Sequence, residues 1–393
     1  MRRDVAVVAY CRTAIARAVR GALNQTHGVA MLSHVLQHVV ERARIEKAEV
    51  EDVIVGCGLP EGVTGHNIAR TSTLFAGFPK GVPGITVNRY CGSGVNAASI
   101  AANRIAAGEA DVLIAAGVES ISLTQSHLNL NFFYYEPLQQ RMPEVWWTMN
   151  QTADFVARKY GISREAQDEY ALRSQQRVAA ALDRGVYAEE IVPFTTQMKV
   201  TDKATNRSSL MEVTLRRDEG PRPDSTSDGL AKLKPVAPGG FITAGNASQL
   251  SDGAGALVLM DADLAARRGL PILGLFRGMQ LAAVAPEEMS IAIAPAIQRL
   301  MARHDVKHAD VDLWELHEAY ALTTLYNQRE LDTPWDVTNV NGGAIALGHP
   351  YGMSGIRYVG STLMELARRK GKRAVIGVCT AGGMSTAALL ESA

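Results

Sequence analysis

The chain has 393 residues, of which 47% are hydrophobic and 20% charged, enough for two or more domains with a large buried core. Its 40 Lys and Arg balance its 40 Asp and Glu, so the charge gives no support for a nucleic acid or an anionic membrane as the main partner. No apolar run reaches transmembrane length, and the four scattered cysteines show no disulfide framework. We therefore expect a cytoplasmic protein with free thiols and no integral membrane segment.

The first 120 residues alternate short apolar runs with a helical pattern. "VAVVAY" (5–10) and "VEDVIVGCG" (50–58) are closed by small residues, which predicts buried parallel strands. "VNAASIAANRIAAGEA" (95–110) is rich in alanine, which is typical of a helix packed closely in an interior. "DVLIAAG" (111–117) predicts a further strand.

Residues 121–243 change character. The stretch 128–150, "LNLNFFYYEPLQQRMPEVWWTMN", is aromatic and has no clear periodicity, and "KVTDKATNRSS" and "RRDEGPRPDSTSDG" are polar and rich in turn residues. Ser163 is placed to cap a helix that stops at Gly185. We interpret the block as a large excursion over the core, because long irregular segments commonly carry binding.

The last third returns to regular order. Two sets of apolar residues recur at helical spacing: Met289, Ile293, Ile297 and Leu300, and then Ile356, Val359, Leu363 and Leu366. "VDLWEL" and "AVIGV" predict strands, the second of which ends at Cys379. "GITVNRYCGSG" and "AVIGVCTAGG" both read as strand, cysteine and glycine turn. We infer a duplicated α/β fold in which each half delivers one cysteine.

Cys91 lies where "TVNRYCGSGVN" (86–96) passes from an apolar run into a glycine turn that opens a helix. A helix N-terminus lowers the pKa of a thiol and favours the nucleophilic thiolate. The alternative is a small buried residue at a tight turn, and position alone leaves both open. The same two interpretations apply to Cys379 in "GVCTAGGMS".

His349 lies between Gly348 and Pro350 in "NVNGGAIALGHPYGMSG" (339–355). A lone loop histidine is usually plain surface, but a cysteine and a histidine together form a nucleophile and its base. The Gly-Lys-Ser/Thr ending of a phosphate loop is absent. His317 opens "HEAYA", which lacks the second histidine of a zinc-binding His-Glu-x-x-His, and no Cys-x-x-Cys is present, so we expect no metal site.

These motifs together resemble the thiolase family nearly from end to end. "RTAIARAVRGAL" is similar to the family's opening, and "VNRYCGSG" to its nucleophile motif. "NVNGGAIALGHPYGMSG" and "CTAGGMS" are similar to its histidine and second-cysteine motifs, and "RPD", "LAKLKPV" and "TAGNASQLSDGA" to its coenzyme A segments.

The resemblance implies an α/β thiolase-like fold. Its two similar βαβαβαββ halves would form a layered α-β-α-β-α core with an inserted loop domain. The corresponding boundaries are 1–120 completed by 244–270 for the first half, 121–243 for the loop domain over the active site, and 271–393 for the second half.

The resemblance also implies an acyltransferase, a degradative 3-ketoacyl-CoA thiolase. Such an enzyme cleaves a 3-ketoacyl-CoA with CoA, a substrate rather than a permanently bound cofactor, into acetyl-CoA and a shortened acyl-CoA. Cys91 would attack the keto carbon after His349 takes its proton. Cys379 would protonate the departing enolate and then activate the incoming CoA thiol.

Two oxyanion sites follow from the same resemblance. One would use His349 and a water held by the segment that contains His317, and the other would use the backbone N–H groups of Cys91 and Ala381. Three residues match family positions that contact CoA: Met149, Arg222 and Ser248.

Two positions depart from most thiolases. This chain has His-Glu-Ala-Tyr where many have Asn-Glu-Ala-Phe, and Ala381 where many have glycine. Both departures resemble the branch found in multienzyme fatty-acid oxidation complexes. The resemblance implies a homodimer or homotetramer that uses acyl-CoA and CoA, and it leaves partnership in such a complex open.

Three alternatives remain: a biosynthetic acetoacetyl-CoA thiolase, a decarboxylating ketosynthase-like enzyme and a non-catalytic scaffold subunit. His317 and His349 motivate the ketosynthase, and Cys379 argues against it because decarboxylation needs no second thiol. The aromatic stretch within 128–150 fits either an oligomer contact or loop core, or the wall of an apolar pocket for a long or ring-bearing acyl chain.

Overall fold

Residues 3–393 are described by the structure, a computed structural model, and form twelve strands and thirteen α-helices. The strands are β1 Val5–Arg12, β2 Ala16–Arg17, β3 Asp52–Gly56, β4 Gly84–Val87, β5 Val112–Ser120, β6 Phe194–Thr201, β7 Ser208–Leu215, β8 Ser251–Asp261, β9 Gly274–Ala283, β10 Leu313–Leu316, β11 Arg373–Thr380 and β12 Met384–Glu391. The helices are α1 Gly28–Ala43, α2 Ile68–Phe75, α3 Ser93–Ala107, α4 Ile121–Thr124, α5 Glu136–Arg141, α6 Met149–Lys159, α7 Arg164–Asp183, α8 Ser227–Ala231, α9 Ala262–Arg267, α10 Ile293–His304, α11 Ala321–Leu331, α12 Ala344–Leu347 and α13 Tyr351–Arg369.

The sheet consists of two halves with matching connectivity. In the first half the spatial order is β1-β8-β5-β3-β4, and in the second half it is β9-β12-β11-β10. Each half begins with three antiparallel strands and continues with parallel pairing. In the second half, a single parallel bridge between Trp314 and Thr338 takes the place that β4 has in the first half. The halves meet where β1 pairs with β9. The predicted duplication of an α/β unit is confirmed.

Alternating strand residues divide the interior into layers. In β3, Val53 and Val55 pack with α1 and α2, whereas Ile54 packs with α3. In β11, Ile376 packs with α13, whereas Val375 packs with α10. Helices α3 and α13 therefore lie between the two sheet halves, and α1, α2 and α10 cover the outer faces. The predicted α-β-α-β-α core is confirmed.

The direction of β1 differs from the prediction. The run 5–10 was expected in a parallel pair, but β1 is antiparallel to both β8 and β9. All eight of its residues are buried. A continuous apolar run indicates that a strand is buried on both faces, and this holds for central strands in parallel and in antiparallel pairs alike.

The two cysteines come from different halves, as expected, but they do not occupy equivalent places in those halves. Cys91 follows β4 at the start of α3, whereas Cys379 lies within β11, which turns directly into β12. The topological counterpart of Cys91 is His349, which precedes α13 in the second half. Local sequence similarity around the cysteines did not reflect their places in the duplicated unit.

The block 121–243 contains more regular structure than its sequence predicted. Helix α7 begins after Ser163, whose hydroxyl accepts the N–H of Ala166 at 3.2 Å, and ends just before Gly185 at φ +71°, as predicted. The hairpin of β6 and β7 was missed, because most of its side chains are exposed or half-buried and only the turn at 202–207 has a clear signal.

No helix among residues 3–393 is both long and apolar enough to cross a membrane.

Candidate active site

The nucleophile candidate Cys91 lies in a single 3-10 turn, Tyr90–Gly92, between β4 and α3. Tyr90 adopts the left-handed conformation with φ +45°, which is unusual for a non-glycine residue. The hydroxyl of Ser93 accepts the N–H of Arg89 at 2.8 Å and donates to the carbonyl of Tyr90 at 2.6 Å. These two bonds hold the turn in its strained shape and fix the direction of Cys91.

Glycines let this turn approach both sheet halves. A Cβ on Gly92 would lie 2.7 Å from the methyl group of Thr380 and 2.9 Å from that of Thr386. A Cβ on Gly94 would lie 2.6 Å from the carbonyl oxygen of Gly352 in α13. Only glycine fits at these places, and the close approach brings Cys91 to the end of β11 and to the start of α13.

Cys91 and two histidines meet at this point. The Sγ atom of Cys91 and one ring nitrogen from each of His317 and His349 all lie within 4.8 Å of one another. The two imidazole rings have centroids 4.3 Å apart. One sulfur and two nitrogens are also a donor set that a soft cation accepts, so the expected absence of a metal site stays a prediction. The arrangement suits proton transfer from the thiol to an imidazole.

Hydrogen bonds determine which nitrogen of His349 is available to act as a base. Its Nδ1 lies 2.7 Å from the hydroxyl of Ser354, and that hydroxyl donates to the carbonyl of Pro350 at 2.9 Å. The hydroxyl proton of Ser354 is therefore engaged with Pro350, so the Ser354 oxygen accepts a hydrogen bond from Nδ1–H of His349. Nε2 makes no hydrogen bond to the protein. It carries the lone pair, and it is free to accept a proton from Cys91.

Burial keeps His349 neutral. Desolvation, together with the positive charge of Arg357, lowers the pKa of His349 to about 3. The histidine is thus in its basic form near neutral pH.

Burial raises the pKa of Cys91 to about 12, which contradicts the lowered pKa expected from its place at a helix N-terminus. Part of its surface is reachable from solvent, but its surroundings are protein, and the charge of Glu119 adds to the effect of burial. Hydrogen bonding from the backbone N–H groups of Cys91 and Ala381 opposes the shift. Desolvation outweighs these donors, so the resting thiol is neutral and needs a base.

The second cysteine, Cys379, is fully buried opposite Ser385 in the β11–β12 hairpin. Burial raises the pKa of its thiol well above the ordinary range, and the neighbouring Cys91 adds to the shift. The two cysteines are brought near each other because Gly92, next to Cys91, packs against Thr380, next to Cys379. Cys379 is therefore a protonated thiol at rest rather than a thiolate, and its proton is available for donation.

Glu318 serves as an anchor, a role that its sequence context did not reveal. Its carboxylate accepts hydrogen bonds from Tyr170 at 2.7 Å, Ser174 at 2.8 Å, the N–H of Ile345 at 3.1 Å and the side-chain amide of Asn339 at 3.3 Å. The carboxylate thus joins α7 to the glycine-rich segment before His349. The two α7 partners lie about 150 positions away along the chain, and no local motif marks them.

Glu119 is a second buried carboxylate that the sequence did not single out. It accepts the N–H groups of Gly58 at 2.8 Å, Leu59 at 3.0 Å and Gly352 at 2.8 Å. Burial raises its pKa to about 7 against these three donors. Glu119 connects the loop after β3 to the first turn of α13, and so helps fix the position of His349.

A cleft of about 1570 Å³ adjoins the histidine. Five arginines line it, together with Ser248: Arg17, Arg20, Arg216, Arg217 and Arg222. The carbonyl of Gln249, another lining residue, accepts the N–H of His349 at 2.9 Å. Three carboxylates, Asp183, Asp218 and Glu219, also line the cleft, so the five arginines leave it with an excess of positive charge beside the segment that contacts His349. Such a cleft suits a ligand that carries phosphates.

Two of the three predicted CoA contacts lie in this cleft. Arg222 is exposed there. The backbone N–H of Ser248 donates to the carbonyl of Ala319 at 2.9 Å, which fixes the position of Ser248. Met149 is not among the residues that line the cleft. It is half-buried at the start of α6 and packs against the apolar cluster that includes Tyr320. Its contact with CoA stays a prediction.

Two protein-family models together match almost the whole chain. The family model described as thiolase, N-terminal domain, matches residues 5–263, and that described as thiolase, C-terminal domain, matches residues 270–392. The chain is 41% identical to 3-ketoacyl-CoA thiolase 5, peroxisomal, of Arabidopsis thaliana, over 99% of this chain and 85% of that protein.

Two solved structures are similar over the whole chain. The Bacillus anthracis acetyl-CoA acetyltransferase has a TM-score of 0.88 and 35% identity, and covers 100% of this chain and 99% of its own. The dimeric peroxisomal thiolase of Saccharomyces cerevisiae has a TM-score of 0.89 and 33% identity, and covers 100% and 98%.

Proposed function

The chain belongs to the thiolase family, and on that premise we propose that it is a degradative 3-ketoacyl-CoA thiolase. It is an acyltransferase that transfers the acyl part of a 3-ketoacyl-CoA to CoA and releases acetyl-CoA. The observation that carries the proposal is the meeting of Cys91 with the two imidazoles of His317 and His349 within 4.8 Å, beside an arginine-lined cleft.

The first half-reaction loads the acyl group. Nε2 of His349 takes the proton of Cys91, and the sulfur attacks the keto carbon of the substrate. The tetrahedral intermediate collapses by breaking the bond between the α and β carbons. This leaves the acyl thioester on Cys91 and the enolate of acetyl-CoA, which takes its proton from the thiol of Cys379.

The second half-reaction unloads the acyl group. Cys379, now a thiolate, takes the proton of the incoming CoA thiol, and the CoA sulfur attacks the thioester. The shortened acyl-CoA leaves, and the Cys91 thiolate takes back its proton from His349. Because burial raises the pKa of both thiols and lowers that of His349, every resting group is neutral, and charge exists only while substrate is reacting.

Two sets of donors suit the two oxyanions. The backbone N–H groups of Cys91 and Ala381 face the sulfur and therefore suit the tetrahedral oxygen on the carbon bonded to it. His349, once protonated, and His317 suit the enolate oxygen of acetyl-CoA. A water held beside His317 would complete that second set.

Coenzyme A would lie along the cleft as a substrate rather than as a resident cofactor. Its phosphates would face the five arginines, and its pantetheine arm would pass Ser248 and Met149 towards Cys91. Three carboxylates, Asp183, Asp218 and Glu219, line the same cleft, and that of Asp218 is paired with Arg12, which donates to it at 2.6 and 2.9 Å. The cleft therefore keeps a positive balance that favours a polyphosphate.

We also propose the boundaries expected from sequence: a first half of 1–120 completed by 244–270, a loop domain of 121–243 and a second half of 271–393. The first family match ends at residue 263 and the second begins at 270, which is consistent with that last boundary.

A second copy of the chain is the proposed partner, as a homodimer or homotetramer. Strand β4 is at the edge of the sheet, and Ile85 on it is 46% exposed beside Phe75 at 71%. An exposed apolar edge of this kind is usually covered by another chain. Phe132, 103% exposed in the loop block, is a further candidate contact. Partnership in a fatty-acid oxidation complex and a cytoplasmic location stay predictions, the second supported by four free cysteines.

The direct test is a CoA-dependent cleavage assay with short, long and ring-bearing 3-ketoacyl-CoAs, with acetyl-CoA measured by chromatography. Wild type should release acetyl-CoA, and a folded Cys91→Ser variant should not. Condensation of acetyl-CoA without cleavage of longer substrates would favour a biosynthetic enzyme. Consumption of a malonyl thioester with release of carbon dioxide, and no CoA-dependent cleavage, would favour a ketosynthase.

A further inference from the structure

His317 has one partner that no motif indicated. The Nδ1 atom of His317 lies 2.6 Å from the hydroxyl oxygen of Tyr358, and both side chains are buried. Nε2 of His317 makes no hydrogen bond to the protein, and its ring lies beside that of His349. Tyr358 is on α13, two turns after the start of the helix.

The surroundings of the phenol determine the direction of this hydrogen bond. Within residues 3–393, the Tyr358 hydroxyl has no protein acceptor other than Nδ1 of His317. Its other polar neighbour is the guanidinium of Arg357, which lies over the phenol ring at 4.3 Å and can only donate. A proton on Nδ1 would leave the buried phenol proton without an acceptor, which is the more costly arrangement. The phenol therefore donates, and His317 carries its proton on Nε2.

The charges around the pair keep this arrangement fixed. Burial raises the pKa of Tyr358 far above neutral pH, so the phenol keeps its proton. Burial lowers the pKa of His317 well below its usual value, and His349 and then Arg357 lower it further. Glu315 lies 3.9 Å from the guanidinium of Arg357, and burial raises the pKa of Glu315 to about 8, so this carboxyl is mostly neutral near pH 7.

We propose that Tyr358 is a positioning residue that fixes the tautomer of His317, so that Nε2–H of His317 donates to the substrate oxygen. The proposal rests on the proposed function. His349 is held in the opposite tautomer, because Ser354 accepts from its Nδ1. Two adjacent imidazoles are thus assigned different tasks by the hydroxyl behind each one, a donor at His317 and a proton acceptor at His349.

The consequence of the wrong tautomer is electrostatic. With the proton on Nδ1, the lone pair of His317 Nε2 would point at the developing oxyanion and repel it. With the proton on Nε2, the same atom donates a hydrogen bond that strengthens as charge develops. The loss on removing Tyr358 should therefore appear in kcat and not in KM.

The test compares Tyr358→Phe in the wild-type and His317→Asn backgrounds. In wild type we expect kcat to fall about tenfold with little change in KM, less than the roughly hundredfold loss of a whole oxyanion donor. In His317→Asn, where an amide needs no tautomer, the same substitution should change kcat by less than about twofold. An equal loss in both backgrounds would mean a purely structural role and would overturn the proposal. Tyr10→Phe, which removes another buried hydroxyl that does not contact a histidine, is the matched control and should leave kcat unchanged.

A measurement that needs no activity separates this inference from the proposed function. In protein with ¹⁵N-labelled histidine, the His317 signal, identified by its loss in His317→Asn, should show a protonated Nε2 and an unprotonated Nδ1. Tyr358→Phe should alter this pattern while the His349 pattern stays the same. A proton on Nδ1 of His317 in wild type would refute the tautomer assignment, whether or not the protein cleaves a 3-ketoacyl-CoA.

Discussion

The turns that precede α3 and α13 occupy the same place in the two halves of the fold, and they carry a thiol and an imidazole. Burial raises the pKa of Cys91 to about 12 and lowers the pKa of His349 to about 3. The shifts are opposite in direction but have one cause, since desolvation disfavours whichever form is charged. The resting thiol and imidazole therefore form no ion pair, and in the proposed mechanism the first turn gives a proton that the second turn takes.

Removing the imidazole of His349 should cause the largest loss of activity. We expect His349→Ala to lower kcat about a thousandfold, because a thiol of raised pKa then has no base. Ser99→Ala, a buried change in the interior of α3, is a suitable control and should retain activity. Steady-state assays on one 3-ketoacyl-CoA measure both, and a loss of less than tenfold in His349→Ala would exclude His349 as the base.

The neighbouring His317 should behave as a donor and not as a base. We expect His317→Ala to lose about a hundredfold in kcat, the usual loss for one oxyanion donor, with KM nearly unchanged. His317→Asn should keep much of the activity, because an amide N–H can replace the imidazole N–H and asparagine is common there in the family. If the two variants have equal rates, His317 is either a packing residue or an essential base, depending on whether both are active or both inactive.

The pKa of Cys91 can be tested without substrate. We expect its alkylation by iodoacetamide to accelerate about tenfold per pH unit between pH 6 and 9, because the thiolate fraction grows in that proportion at every pH below a pKa of about 12. The modified peptide is followed by mass spectrometry, which separates Cys91 from the three other cysteines. A plateau below pH 8 would mean that a thiolate–imidazolium pair already exists, and His349→Ala would then remove that plateau.

The smallest effect should come from single arginines of the cleft, whose replacement should change only the binding of CoA. We expect Arg17→Gln and Arg222→Gln each to raise the KM for CoA about two- to fivefold with kcat unchanged, because exposed charge pairs contribute little individually. The KM increase should shrink at high salt. Arg44→Gln, an exposed arginine outside the cleft, is the control. A fall in kcat in either cleft variant would place that arginine nearer the chemistry than the account allows.

The sequence predicted the parts of the site that depend on local chemistry. Cys91, His349 and Cys379 each stand beside glycines or proline, where a side chain is placed by its own turn, and the structure brings their neighbourhoods together. The halves, the helix capped by Ser163 and the central helices were predictable because their patterns are periodic. The arginines other than Arg222 were not singled out, since an arginine in a turn is ordinarily a surface residue.

What the sequence did not predict depends on distant contacts. The raised pKa of Cys91 comes from desolvation by both halves, which a local helix-dipole argument cannot include. Glu119, Glu318 and Tyr358 act through partners far along the chain, and no spacing marks them. The hairpin of β6 and β7 does alternate, with Phe194, Met198 and Val200 on one face of β6, but its many polar residues and its polar turn were interpreted as a loop.

The thiol of Cys91 should become the acyl carrier when a 3-ketoacyl-CoA binds. Wild-type protein would be mixed with a 3-ketoacyl-CoA in the absence of free CoA, quenched in acid and digested for mass spectrometry. We expect one equivalent of acetyl-CoA released per site and the shortened acyl group on the peptide that contains Cys91, with neither in Cys91→Ser. An acyl group on Cys11, Cys57 or Cys379, or release of acetyl-CoA without any acylated peptide, would contradict the account.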